Sequence, residues 1–303
     1  MSLTLRPAQP ADADDVAAFT RETWPGREMD DYLPRTFPEW AADDDPARRT
    51  LVADDGRAVA VIQGVQLSTR EAWVQGLRVH PDYRDRGLAS RLTDAILSWA
   101  RSRGATVCRN LVFSWNVASL GLARSLGFAP CTEFRWGTMA ADADADPTLD
   151  VCADPDAAWS FWTGSDARDH LRGLAVDPDE AWTLSELRPE DLTRAADADG
   201  LFVVQDGGTR GLTFRNRVFE TAEGETRERW TEYAVGAWAD ADAAAALVDA
   251  MARDAARLDA DRGRVLVPET PRFVTDAAAA RIDVSGDPDF VLAADLTDPA
   301  TGR

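Results

Sequence analysis

A chain of 303 residues has room for two domains of ordinary size, and a composition of 45% hydrophobic and 28% charged residues excludes a disordered chain. Its 53 acidic residues outnumber 33 basic ones, every one of them arginine, for a net charge of -20, which excludes a nucleic-acid binder because that role needs a basic stripe. Three cysteines, Cys108, Cys131 and Cys152, without metal-ligand spacing exclude a disulfide framework or a zinc site; with no signal sequence and no apolar window of membrane-spanning length, no membrane role is expected and the chain reads as cytoplasmic.

In chain order, "LTLR" at residues 3–6 predicts a short strand, and Asp12 or Asp14 can cap a helix running through Val16 and Phe19. The aromatic, proline-rich segment "WPGREMDDYLPRTFPEW" cannot be one helix. "TLVADDGRAVAVIQGVQL" has the form of a hairpin turning at Asp55-Gly56, and "EAWVQGLRV" follows as a third strand. Beyond Pro81, Leu88, Leu92, Ile96 and Trp99 fall at helical spacing, and Gly104 closes that helix. A strand at "TVCRNLVF", a short helix at "NVASLGLARSLGF" and a strand at "CTEFRWGTMA" complete the first half.

The acidic run 141–147, "ADADADP", is the expected linker between a domain at 1–140 and one at 148–303. The second half repeats the first in faded form, with a hairpin turning at Asp206-Gly207, a strand "RWTEYAVGAW", a long helix "DAAAALVDAMARDAARLDADRG", a strand "RVLVPE" and a short helix "RFVTDAAAARI". Only acidic residues and alanines separate "AVGAW" from its helix, so one feature of the first half has no counterpart here.

That feature is "HPDYRDRGLASRL", residues 80–92, where Arg84, Arg86 and Arg91 surround Gly87 at the mouth of a helix. A strand ending at a glycine turn that opens a helix presents unpaired amides with the positive end of the helix dipole behind them. Glycine admits an anion close to the backbone and arginines add charge-assisted hydrogen bonds, so a pyrophosphate is the expected guest. The Walker and Rossmann loops need residues absent here. Arg84-x-x-Gly87-x-Ala89, followed by Asn116 at a second helix and by Gly127-Phe128, resembles the GCN5-related N-acetyltransferases (GNAT) over about residues 1–140.

The resemblance implies an α/β fold, a mixed and mainly antiparallel sheet flanked by helices, followed by a degenerate GNAT-like second domain without the loop. It implies acetyl-CoA as cosubstrate: backbone groups of Leu77, Arg78 and Val79 would meet the pantetheine arm, and amides of Asp85, Arg86, Gly87, Leu88, Ala89 and Ser90, with Arg84, the pyrophosphate. Asn116 would reach the pantetheine or acetyl end. Acetyl transfer needs a neutral amine, a polarised carbonyl and a protonated leaving thiolate. The family's usual tyrosine acid is replaced by Ala123, which leaves water or a hydroxyl, Ser119 or Ser125, for that step.

For the base, Glu71 at the start of the third strand is one candidate, on the same face as Trp73 and Gln75; Glu22, Glu28 and Asp30 are others. His80 reads as structural or a minor CoA contact, His170 as incidental, and Cys108 as a core residue. Trp24, Tyr32, Phe37 and Trp40 either line an acceptor site or fill a core. The leading expectation is transfer of acetyl to the primary amine of a small molecule such as an amino acid, by a monomer or homodimer. The alternatives are a protein N-terminal acetyltransferase and a non-catalytic acyl-CoA-binding or sensing module.

Aspartate runs spread over the whole length, with no lysine, point to a halophilic source. At 1 M salt the screening length falls to about 3 Å, which relieves self-repulsion. The melting temperature should therefore rise between low and molar salt; a melting temperature indifferent to salt would contradict the expectation.

Overall fold

The computed structural model describes residues 3–21, 23–24, 30–223, 226–298 and 301. From the N-terminus run β1 (Thr4–Pro7), α1 (Ala13–Thr20), α2 (Leu33–Ala42), β2 (Arg48–Asp54), β3 (Ala58–Gln66), β4 (Glu71–Val79), α3 (Leu88–Ser102), β5 (Val107–Phe113) and α4 (Val117–Ser125). The β2–β3 hairpin turns where expected, with Gly56 N–H donating to Asp54 Oδ1 at 2.7 Å. α3 buries Leu88, Leu92 and Ile96 and stops before Gly104. The proline-rich segment is not one helix, as expected; its second half forms α2, with Pro34 in its first turn and Pro38 inside it. Leu33 and Phe37 are fully buried against Val16, Phe19, Val52 and Val61, so apolar burial outweighs the backbone hydrogen bond that Pro38 cannot donate.

The later elements are β6 (Ala129–Ala140), β7 (Asp150–Cys152), α5 (Pro155–Thr163), α6 (Asp166–Leu171), β8 (Leu174–Val176), β9 (Leu184–Glu186), α7 (Pro189–Asp197), β10 (Leu201–Gln205), β11 (Thr209–Glu223), β12 (Thr226–Tyr233), β13 (Ala237–Trp238), α8 (Ala241–Arg257), β14 (Arg262–Pro268), α9 (Pro271–Ala279), β15 (Asp283–Val284) and β16 (Asp289–Asp295). The strand read as "RWTEYAVGAW" breaks into β12 and β13.

Two units result, and neither is continuous in sequence. The first comprises Met1–Leu111, Val117–Pro130 and Leu292–Arg303; the second comprises Val112–Asn116 and Cys131–Val291. A boundary at 141–147 does not describe this division, because each unit takes a terminal strand segment from the far half of the chain. In the second unit, β6 pairs antiparallel with β14 from Phe134↔Pro268 to Ala140↔Arg262. In the first, Leu296 N–H donates to Thr106 O at 2.9 Å, and Arg101 donates to Leu296 O at 3.0 Å and Thr301 O at 2.6 Å.

Within the first unit, β1–β2, β2–β3 and β3–β4 are antiparallel, while β4–β5 is parallel. Within the second, β7–β10, β10–β11 and β11–β12 are antiparallel and β12–β14 is parallel. The same sequence of strand directions therefore occurs in both. Since Leu296 is buried and its backbone bonds to the first unit, Leu296→Ala should destabilise that unit by about 2–4 kcal/mol. Hydrogen exchange in α3 and β5 should then accelerate ahead of α8; unchanged protection there would contradict the assignment.

Candidate functional site

The β4 strand carries the first element of the site. Its register against β3 passes from Gln63↔Gln75 to Val61↔Arg78, so an extra residue bulges out of β4. Gly76 lies within that bulge at φ 67°, and a Cβ there would come within 2.6 Å of the Trp40 ring. Only glycine meets both conditions without strain. Against β5, β4 pairs at Glu71↔Val107, Ala72↔Cys108 and Trp73↔Arg109, although it runs on to Val79. The bulge thus begins just beyond the last paired residue, and the two parallel strands part with the backbone of Leu77, Arg78 and Val79 on the parted edge.

A hydrogen-bond series anchors the bulge to α2. Gln75 Nε2 donates to Gln63 Oε1 (2.9 Å), Gln63 Nε2 to Thr50 Oγ1 (3.0 Å), and Thr50 Oγ1 to Trp40 O (3.3 Å). Gln63 is fully buried, so losing either partner would strand a polar group out of water.

The second element is the turn before α3. His80 Nδ1 accepts the Asp82 N–H at 3.2 Å, capping a short helical turn at Pro81–Tyr83, and its ring packs on Phe19 and Tyr83. Of the two roles read for His80 from the sequence, structural or a minor CoA contact, these contacts favour the structural one. Arg84, Asp85, Arg86 and Gly87 are exposed; Asp85 and Gly87 have φ 59° and 72°. Among the described residues no side chain caps α3, and a Cβ at Gly87 would meet open space. The first-turn amides of a 15-residue helix at Leu88, Ala89 and Ser90, with about half a positive charge of helix dipole behind them, form an anion seat. Arg86 rests on the Tyr83 ring at 4.8 Å, so its cation stays beside the turn.

The second unit treats the matching positions in the opposite way. β12 and β14 stay paired to Tyr233↔Val265, and Gly236 N–H still donates to Leu266 O at 2.7 Å, so these strands do not part. Asp240 caps α8, accepting the Ala243 N–H at 3.0 Å. That hydrogen bond and the Arg210 guanidinium hold the Asp240 carboxyl below the usual carboxylate range. Arg272 donates to the carbonyls of Trp238 (3.2 Å) and Ala239 (2.7 Å). The protein's own aspartate occupies this helix mouth.

Other residues singled out from the sequence fare unequally. Glu71 is buried at 4% exposure, with Oε1 2.6 Å from Arg109 Nη1 and Oε2 accepting from Ser68. It starts β4 about 20 Å from Leu77 along the strand. Burial and pairing with Arg109 favour a packing role for Glu71 over that of the base expected from the sequence; removing one partner of such a buried pair costs about 3–5 kcal/mol. Asp30 is exposed, and Glu22 and Glu28 lie outside the described residues. Sequence reasoning missed Asp31, which is buried and pairs with Arg78 at 2.7 Å; Arg78 also lies over Trp24 at 4.9 Å and Tyr32 at 5.7 Å. Phe37 belongs to the core, with Tyr32 and Trp40 packed on it.

Ser119 is half-buried in the first turn of α4, and Ser125 is exposed and donates to Leu122 O. Ala123 is buried. Asn116 belongs to the second unit, where its N–H donates to Phe113 O at 2.8 Å. Burial pushes the Cys108 thiol up to about 12, as suits a core residue. His170 Nε2 donates to Glu133 O at 2.9 Å, a packing role. Among the described residues no group of His, Cys, Asp or Glu is arranged to hold a metal ion, and no helix is long and apolar enough to cross a membrane.

Residues 13–128 match the model of the "Acetyltransferase (GNAT) family". No curated protein matches the chain. Among solved structures, a GCN5-related N-acetyltransferase from Sphaerobacter thermophilus is similar at TM-score 0.60 and 17% identity, over 97% of this chain and 96% of that one. A candidate acetyltransferase from Thermoplasma acidophilum is similar at TM-score 0.56 and 20% identity, over 96% and 98%. Likeness at this identity concerns the fold, which is therefore the GNAT fold, extended by a second unit over nearly the same length as in those proteins.

Gly76→Ala adds a left-handed non-glycine residue, at about 1–2 kcal/mol, together with a clash against Trp40. Denaturant unfolding should show a loss of at least that size, and a variant as stable as the parent would contradict the geometry.

Proposed function

We propose, from a chain with the fold of the GCN5-related acetyltransferases, that this protein is an acetyl-CoA-dependent N-acetyltransferase acting on the primary amine of a small molecule such as an amino acid. The observation that carries the reading is the contrast between two helix mouths: α3 opens at Gly87 without a side-chain cap, while α8 is stoppered by Asp240. An exposed, uncapped helix mouth flanked by Arg84 and Arg86 suits a pyrophosphate. The amides from Asp85 to Ser90 would hold that group, and the parted edge of β4 at Leu77, Arg78 and Val79 would hydrogen-bond the pantetheine.

In this reading the neutral amine attacks the thioester carbonyl carbon, the new C–N bond forms as the C–S bond breaks, the nitrogen gives its surplus proton to water, and the thiolate takes a proton in its place. A backbone N–H of Leu77 or Val79 stabilises the oxyanion, and holding the two reactants in attack geometry contributes much of the rate. Water or the Ser119 hydroxyl supplies the proton, since Ala123 offers none. The second unit is a degenerate copy of the first that binds no CoA, and the protein works in the cytoplasm.

One observation favours a second reading. A buried Ala123 where the family pattern has tyrosine suits a module that binds acyl-CoA without turning it over. Thiol release in molar salt, with acetyl-CoA and a panel of amino acids, polyamines, aminosugars and peptides, separates them. The enzyme reading expects release with one acceptor class, and about a tenfold or greater rise in the acetyl-CoA KM when Arg84 and Arg86 are both changed to Ala. Tight binding without release from any acceptor would overturn it in favour of the sensing module; release with peptides alone would favour a protein N-terminal acetyltransferase.

A further inference from the structure

In the second unit aromatic rings run from the buried Trp136 out to the exposed Trp182 beside an aspartate, apart from the anion seat. Phe113 and Trp115 stack at 5.2 Å, and Trp182 meets Phe113 edge-on at 6.5 Å and Trp136 at 5.9 Å. Ser114 N–H donates to Pro288 O at 3.4 Å, which sets the Phe113–Trp115 segment beside the start of β16, where Asp289 stands. Asp289 is 8% exposed and lies next to the Trp136 indole.

Trp182 itself is unusual. It is 44% exposed, yet its backbone is left-handed at φ 59°, a conformation that a bulky residue adopts only when its surroundings impose it. They do so here. Asp177 N–H donates to Thr183 O (2.8 Å), and Asp177 Oδ1 accepts the N–H groups of Asp179 (3.0 Å) and Glu180 (2.8 Å). Arg217 donates to Asp177 O (2.6 Å) and Glu180 O (3.1 Å), while Asn216 donates to Asp177 O (2.9 Å). The β8–β9 loop is clamped so that its one tryptophan stands exposed over the face.

The cation acting on Asp289 has partners of its own. Arg264, the guanidinium acting on it, is already engaged by Glu232, which also pairs with Arg217 at 2.7 Å. Arg264 is further enclosed by the rings of Trp136 (4.2 Å), Trp182 (4.9 Å) and Phe219 (4.8 Å). Asp287 adds a like charge that acts on Asp289. A carboxyl among aromatic rings, with its nearest cation engaged elsewhere, suits a guest that brings its own positive charge and an apolar body.

We propose that this face of the second unit binds a protonated primary amine with an apolar or aromatic body, its ammonium on Asp289 and its body against Trp182, Trp136, Phe113 and Trp115. The class of ligand rests on the reading of the chain as an amine acetyltransferase; the site rests on the second unit alone. Burial, partly opposed by Trp136 and Arg264, pushes the Asp289 carboxyl up to about 7. The group is therefore charged above that pH and neutral below it, so ammonium binding is present at pH 8 and fades as the pH falls through 7.

The test titrates phenethylamine, without acetyl-CoA, into the full chain and follows tryptophan fluorescence at pH 8 and pH 6, with 2-phenylethanol as neutral control. The expected result is saturable amine binding about fivefold or more tighter at pH 8. Asp289→Asn should weaken it about tenfold and remove the pH dependence while leaving 2-phenylethanol unaffected. Trp182→Ala, at an exposed position, should weaken both ligands severalfold with an unchanged melting temperature. No saturable amine binding, or amine binding indifferent to Trp182→Ala, or indifferent to Asp289→Asn in a folded variant, would overturn the proposal. Acetyl-CoA titrated into the same sample separates the two readings: its loss with amine binding retained strikes the enzyme, and the converse strikes only this site.

Discussion

The bulge at Gly76 is the constraint on which the first unit's site depends. Trp40 from α2 occupies the space a side chain would need, and the left-handed backbone excludes other residues, so β4 has to bend there. Bent, it leaves β5 after Trp73↔Arg109 and exposes a strand edge that would otherwise be spent on the sheet. An exposed edge ordinarily invites mispairing. The series Gln75–Gln63–Thr50–Trp40 holds it in one conformation, so the edge and the α3 mouth stay on a defined frame.

The two units contrast two solutions with one set of strand directions. Where β4 bulges, β12 stays paired with β14 and breaks only afterwards. Where Gly87 leaves α3 open, Asp240 turns its carboxylate onto the amides of α8 and is paired with Arg210. A helix N-terminus needs negative charge, and the second unit supplies it from its own chain, which leaves nothing for a ligand to do there. Freed of that task, its sheet carries an aromatic face on which Trp182 is held exposed.

What was legible in the sequence was local. Asp55-Gly56 and Asp206-Gly207 give hairpins because their turn chemistry acts over a few residues, and Leu88, Leu92 and Ile96 give α3 because their spacing selects a face. The loop at Arg84–Gly87 was readable for the same reason. Long-range pairings were not. Glu71 looks like a strand-end carboxylate until Arg109 closes on it from a neighbouring strand, and Asp31 reads as one of many surface aspartates until Arg78 buries it. Nothing local says that Leu292–Arg303 belongs with the first unit, since its partners, Thr106 and Arg101, lie in the far half of the chain. α2 was obscured by Pro38, whose cost is visible locally while the burial of Phe37 that offsets it is not.

One measurement bears most directly on this account: calorimetric titration of acetyl-CoA into the full chain, for the parent and for Gly87→Asp, which sets a carboxylate at the open helix mouth as Asp240 does at the other. One site per chain, lost in a folded Gly87→Asp variant, is the predicted result. Two sites per chain, or affinity unchanged by the substitution, would contradict it.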